Sequence, residues 1–359
     1  MFSQGDPVLA GVCLDTGYLI GLSLENQRSA AEWAAFLRQA KEQGLNLEVV
    51  VKDAAGGIAK GVRDVFPDAE QRDDCFHAMY EMGKVRRQLE VKAYKEIGRE
   101  MEAEERLERV RRTGKGSRAK MVNKLVWARR RCAAALALHD AFERAMNDVT
   151  EAMAFVDLDS ARIRTPEAME SSIREAAQRM SGLGDGKCRR VGKYLYNRAP
   201  GLAVHMKALN AELSALDDLF GADATRVAAA IWRLRDDLRH DRRRWARGEQ
   251  RRMLAGAVTL LATLVGDQSE AVLTAVDSAL LRRHRASSAI EGFNAALRPF
   301  LYVHKGVSPG FLELFRAHHN LRTRRWGRHK GTSAHECLTG EPVHDWLEKL
   351  GDAPSEQLH

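Results

Sequence analysis

The chain has 359 residues and a formal charge of +8 at pH 7, with 30% charged and 6% aromatic residues. That length suggests two or three domains with ample core, and the basic balance favours a polyanionic partner, nucleic acid or an acidic membrane surface. Cys13, Cys75, Cys132, Cys188 and Cys337 are scattered without a Cys-x-x-Cys pair, which argues against a disulfide framework or a structural zinc cluster and for a reducing cytoplasm.

At the N-terminus, Asp6, Pro7 and Asp15 interrupt the hydrophobics and no basic region precedes them, so no signal peptide is read there. PVLAGVCL and YLIGLSL, joined by Asp15-Thr16-Gly17, read as a β-hairpin. In RSAAEWAAFLRQAKEQGL, Ser29 and Glu32 form a capping box, Trp33, Phe36, Leu37 and Ala40 share a helical face, and Gly44 is the stop. LEVVV at 47–51 is apolar on both faces, as a buried central strand is, and ends at Lys52-Asp53 before a new helix. The order strand, strand, helix, strand, helix predicts a mixed α/β domain.

From about 78 to 285 the periodicity is helical, with breaks predicted at 111–118, 161–167, 182–187 and 220–225. Its longest apolar run, AGAVTLLATLVG at 255–266, is too short to span a bilayer. These features describe a soluble, cytoplasmic, basic protein. The domain division expected is 1–77, a helical 78–285, and 286–359.

Several residues have chemistry to offer. Asp53 stands just past the end of a strand, where ligands and catalytic groups collect in α/β folds; an Asp capping the next helix is the alternative. In SSAIEGFNAALRPF, at 287–300, a helix places Ile290, Phe293, Leu297 and Leu301 on one stripe. Glu291, Asn294 and Arg298 then fall on the adjacent stripe. A carboxylate there suits a divalent cation and an arginine suits a phosphate; a solvated Glu paired with Arg298 or a neighbour is the alternative. In DDCFHAM, His77 either contacts DNA or orients a catalytic group, or is a partly buried helical His. Three basic clusters follow: 110–120; 237–252, with Arg243 beside Trp245; and 320–331, with Arg324, Arg325 and Lys330 around Trp326. Each by itself fits a solvated helix face; together they point to nucleic-acid binding.

In this order, the hairpin, the Trp-bearing helix, VVVKDAAGGI, DDCFH, the helical insert and SSAIEGFNAALRPF resemble bacterial insertion-sequence transposases with an RNase H-like DDE domain, including the Mutator-like group with a helical insertion. Asn320, RHKGTSAHECLTG and WLEKLG are similar to the C-terminal tails of such enzymes. The resemblance implies an RNase H-like core with a mixed sheet, interrupted by a large all-α insertion. It implies Asp53 and Glu291 as catalytic carboxylates holding Mg2+ or Mn2+ in a two-metal site. It further implies phosphodiester cleavage and strand transfer on double-stranded DNA, both transposon ends and target, by a dimer at least. The family's first Asp precedes the hairpin, so it is expected to be missing, with Asp15 as the nearest substitute, Asp6 as another, and weak or absent catalysis from a truncated chain. The alternatives are a DNA-binding remnant without catalysis, another RNase H-like nuclease, and a helical interaction protein.

Overall fold

Helix takes 74% of the computed structural model, and its strands form small sheets. The structure describes residues 2–3, 6–53, 55–158, 160, 162–240, 244–281, 288–303, 307–327 and 329–351. Two compact units divide the chain: one is made of 1–76 with 284–359, the other of 77–283.

The first unit opens with Phe2–Ser3 (β1), Asp6–Val12 (β2) and Leu19–Leu24 (β3), an antiparallel sheet in the order β1-β2-β3. β2 and β3 are the expected hairpin, with Val8 opposite Leu24 and Ala10 opposite Leu22. Side chains alternate across a strand, so β2 serves two cores. Leu9 packs with Phe36 and Leu37 of Ala30–Glu42 (α1) and with Val62 and Val65 of Gly56–Val65 (α2). The capping box is formed: Ser29 N–H donates to Glu32 Oε2 at 2.8 Å, and Glu32 N–H donates back to Ser29 Oγ at 3.4 Å. Closely packed α1 and α2 leave no side-chain space at Gly61, where a Cβ would sit 2.6 Å from Trp33 Cβ.

Val49–Lys52 (β4) pairs in parallel with Glu70–Asp73 (β5), and these two strands form a sheet of their own. This differs from the expected single mixed sheet with LEVVV at its centre. The edge of β2 away from β3 pairs only with β1, at Pro7 and Asp6, and β4 has no second strand partner among the described residues. The antiparallel and parallel ladders therefore stay separate, and Val49 is left 40% exposed.

The second unit is helical. Cys75–Thr113 (α3) and Arg118–Ala152 (α4) are its longest helices. A two-residue pair, Val156–Asp157 (β6) with Arg162–Ile163 (β7), leads to Pro166–Ser181 (α5), Gly186–Ala203 (α6), His205–Phe220 (α7), Ala222–His240 (α8), Arg244–Val265 (α9) and Ser269–Leu281 (α10). Thr165 and Asp185 cap α5 and α6, each at a predicted break. Its fully buried side chains include Phe142, Met169, Ile173, Leu195, Met206 and Leu213. Among the described residues no helix is long and apolar enough to cross a membrane.

The chain then returns to the first unit with Ser288–Val303 (α11), Pro309–Leu321 (α12), Ala334–Thr339 (α13) and Trp346–Gly351 (α14). Phe293, Leu297 and Leu301 of α11 and Leu312 of α12 pack on Val8, Leu19 and Leu22, the hairpin face opposite Leu9. The hairpin thus lies between α1 and α2 on one side and α11 and α12 on the other.

Candidate functional site

The parallel register places Lys52 opposite Asp73 at the carboxyl ends of β4 and β5. Lys52 Nζ lies 2.6 Å from Asp73 Oδ1, with the two side chains 5% and 11% exposed. This buried pair anchors the strand ends. Asp53 follows at once and is exposed. Its Oδ1 accepts a hydrogen bond from Ala55 N–H at 3.0 Å, shaping the turn into α2, whose own N-cap residue, Ala55, has no side-chain cap. Asp74, buried beside it, accepts from Phe76 N–H at 2.8 Å.

α11 carries the other carboxylate. The apolar stripe runs through partly buried Ile290 and buried Phe293, Leu297 and Leu301. Glu291 and Arg298 are exposed and Asn294 is half-buried on the flank. Among the described residues Glu291 has no ion-pair partner; the neighbours at 282–287 that could pair with it lie outside the described residues.

Beside α11 opens a cleft of about 900 Å³, lined by Gly292, Phe293 and Ala296, by the hairpin turn, and by the segment from His318 to His329. This segment grips the turn by its carbonyls. His319 Nε2 donates to Gly17 O at 3.2 Å, Arg324 donates to Thr16 O at 2.8 Å, and His329 Nε2 donates to Asp15 O at 2.8 Å. Burial holds His319 in its neutral form with a pKa lowered to about 4; the bond to Gly17 opposes this, and Arg322 and Arg324 add to it. His318 is lowered too, by burial and by Arg322. Asn320, buried on the same helix, takes the place of a strand neighbour: it accepts from Leu19 N–H at 2.8 Å and donates to Leu19 O at 3.0 Å.

The predicted nucleic-acid residues thus meet different fates. Arg324 directs its guanidinium to the carbonyls of Thr16, Thr332 and Ser333 and to Cys337 Sγ, so it fastens the C-terminal segment to the hairpin. Its neighbours Arg325, Trp326 and Lys330 are exposed, and Arg325 and Trp326 line the cleft. Asp15 also lines it and is exposed. His77 belongs to the second unit, on α3, with Nε2 3.6 Å from Glu81 Oε1 and its ring against Tyr194. Arg243 lies outside the described residues, and Trp245 is described only as a residue of the α9 backbone helix. Sequence reasoning missed the Lys52–Asp73 pair and the carbonyl clamp, because neither partner in either device is within a helical turn of the other.

A two-metal site needs clustered carboxylates with open coordination positions. Among the described residues no group of three or more His, Cys, Asp or Glu is placed to hold a metal ion, and Asp53 already commits one oxygen to Ala55. The residues as placed do not make that cage.

No curated protein and no solved structure matches the chain. Residues 12–182, slightly under half of it, match the model of a transposase family, the ISL3 group of DDE transposases; the match runs from the end of β2 to the start of the α5–α6 connection, supports an insertion-sequence transposase, and does not extend to a placement in the Mutator-like group.

Proposed function

We propose that the protein is the DNA-cleaving and strand-joining enzyme of an insertion sequence, acting on double-stranded DNA at the element's ends and at its target, as a dimer at least. The observation that carries this reading is the transposase match over 12–182, which contains Asp53 at the end of β4. The cleft beside Glu291 supports it: Arg322 and Arg325 present positive charge there, and Trp326 is 76% exposed, a combination that suits phosphates and a stacked base.

In the finer reading the first unit is an RNase H-like core. Asp53 and Glu291 are two of its catalytic carboxylates, Asp15 is the nearest substitute for the third, and Mg2+ or Mn2+ is the ion such carboxylates would bind. Asn294, Arg298, Arg325 and Lys330, with His77, Arg243 and Trp245 of the remaining clusters, are the DNA contacts. Arg324 serves this surface by positioning it. No catalytic step is assigned to a metal, since the described carboxylates do not form a cage for one.

The test is cleavage and joining of duplexes bearing the element's ends, with Mg2+ or Mn2+, by the parent and by the Asp53→Asn and Glu291→Gln variants. Both variants are expected to lose cleavage and keep DNA binding. Cleavage at the parent's rate by both would remove these two residues from the chemistry. A second reading, a DNA-binding protein without cleavage, is favoured by the use of Asp53 Oδ1 as acceptor for Ala55 N–H; a parent that binds but never cleaves establishes it.

A further inference from the structure

α3 and α4 form one antiparallel hairpin. Thr150 Oγ1 donates to Met79 Sδ at 3.7 Å, Arg86 lies 3.8 Å from Glu143, Arg131 2.8 Å from Glu96, and Arg129 3.0 Å from Glu104. Residue numbers fall on α4 as they rise on α3, so a single register holds throughout. At 1.5 Å per residue, α3 alone spans roughly 58 Å. Gly114 and Gly116, both at positive φ, reverse the chain at the tip, and Ser117 caps α4.

Charge is divided unevenly along this arm. On the shaft, residues 85–108 hold six Lys and Arg against seven Asp and Glu, and residues 129–151 hold four against four. Much of that charge sets the register. At the tip, residues 109–128 hold seven basic residues and no acidic one: Arg109, Arg111, Arg112, Lys115, Arg118, Lys120 and Lys124. All seven are exposed, and among the described residues only Arg111 has an ion-pair partner, Glu108.

Folding does not account for this cluster. A helix N-terminus is stabilised by acidic side chains and disfavours cations. α4 nevertheless begins with Arg118 and Lys120 and has no acidic residue in its first turn. Lys124 and Trp127 continue the face of Lys120 at helical spacing. Trp127 is 65% exposed, with the Arg130 guanidinium 5.8 Å from its ring. The whole arm lies inside the segment that matches the transposase family.

We infer that the tip of the α3–α4 arm is a separate nucleic-acid contact, gripping the phosphate backbone of duplex DNA through Arg112, Lys115, Arg118, Lys120 and Lys124, with Trp127 against the sugar-phosphate edge. The inference rests on the reading of this chain as a DNA-acting transposase and adds a second grip, carried by the helical unit.

The experiment measures duplex DNA binding by the full chain from 50 to 300 mM KCl. The parent is compared with a variant carrying Arg112→Ala, Lys115→Ala, Arg118→Ala and Lys120→Ala, and with the loop substitution Lys115→Glu, which leaves both helices untouched. Removing one cation that neutralises a phosphate lowers the slope of log affinity against log salt by about 0.9, so the fourfold variant is expected to lose about 3 to 4 from the slope. Its affinity at 100 mM salt falls at least about tenfold, with helical circular dichroism unchanged. Lys115→Glu moves the slope the same way, Trp127→Phe reduces DNA-induced fluorescence quenching, and Glu143→Gln on the arm's shaft leaves the slope alone. Unchanged slope and affinity in both tip variants, with a parent that binds DNA, overturn the tip contact and leave the transposase reading standing. Loss of binding to phosphatidylserine vesicles with DNA binding intact assigns the tip to a lipid surface and likewise overturns it. A parent that binds no DNA removes both readings.

Discussion

Lys52 and Asp73 meet at 2.6 Å in a setting that leaves almost no water around either. Taking ions out of water costs several kcal/mol each, and removing one partner strands the other, at about 3–5 kcal/mol. Asp73→Ala is therefore expected to lower stability to urea by about 3 kcal/mol or more, whereas Lys52→Met with Asp73→Leu together should cost less than Asp73→Ala alone; a double variant as costly as the sum of the singles would show that the two groups are not coupled. His319 offers a pH reading. Its folded pKa of about 4 lies below the ordinary 6.5, so between those values the unfolded chain binds a proton that the folded chain refuses. Its contribution is complete above pH 6.5 and is lost as pH falls toward 4, amounting to roughly 1.5 kcal/mol between pH 6.5 and 5. His319→Gln, which keeps a donor for Gly17, is expected to flatten that part of the stability–pH profile, and an equally steep profile in the variant would place the titration elsewhere.

At the scale of elements, α11 separates support from chemistry by face. Leu297 is fully buried against the hairpin, and Leu297→Ala is expected to cost about 3 kcal/mol through the cavity it leaves. Glu291 is exposed on the flank and without an ion-pair partner among the described residues, so Glu291→Gln should change stability by less than about 0.5 kcal/mol. Chemical denaturation of the two variants checks both, and a large loss from Glu291→Gln would mean that its carboxylate supports the fold. The α1–α2 contact is as demanding in a different way. With Trp33 Cβ 2.6 Å from where a Cβ on Gly61 would stand, Gly61→Val forces the helices apart, and the variant is expected to express poorly or melt well below the parent.

Across the whole molecule, the excess of cations is spread over exposed side chains of both units, including Arg325 and Lys330 in one and the arm tip in the other. A partner held by such a distribution is held through counterion release. Affinity for duplex DNA of arbitrary sequence is expected to fall roughly a hundredfold or more between 50 and 200 mM salt, and an affinity indifferent to salt would point to a protein partner for the same surface.

Much of the local structure was legible in the residues themselves, because its causes lie within one helical turn or one strand repeat. The hairpin alternation, the Ser29–Glu32 box, the Phe293–Leu297–Leu301 stripe and the breaks before Thr165 and Asp185 are of this kind. The basic balance was legible too, since charge needs no fold to be counted. Contacts between distant residues were decided only by the tertiary structure. Nothing local distinguishes Arg324 from Arg325, yet one is consumed by the carbonyls of a turn 308 positions away and the other is left to solvent. Nothing local says that VVV will pair with the strand at 70–73, or that Lys52 will face Asp73. Side-chain chemistry and short-range periodicity belong to the sequence; which donor meets which acceptor depends on the path of the chain between them, and that path is set by the packing of every element at once.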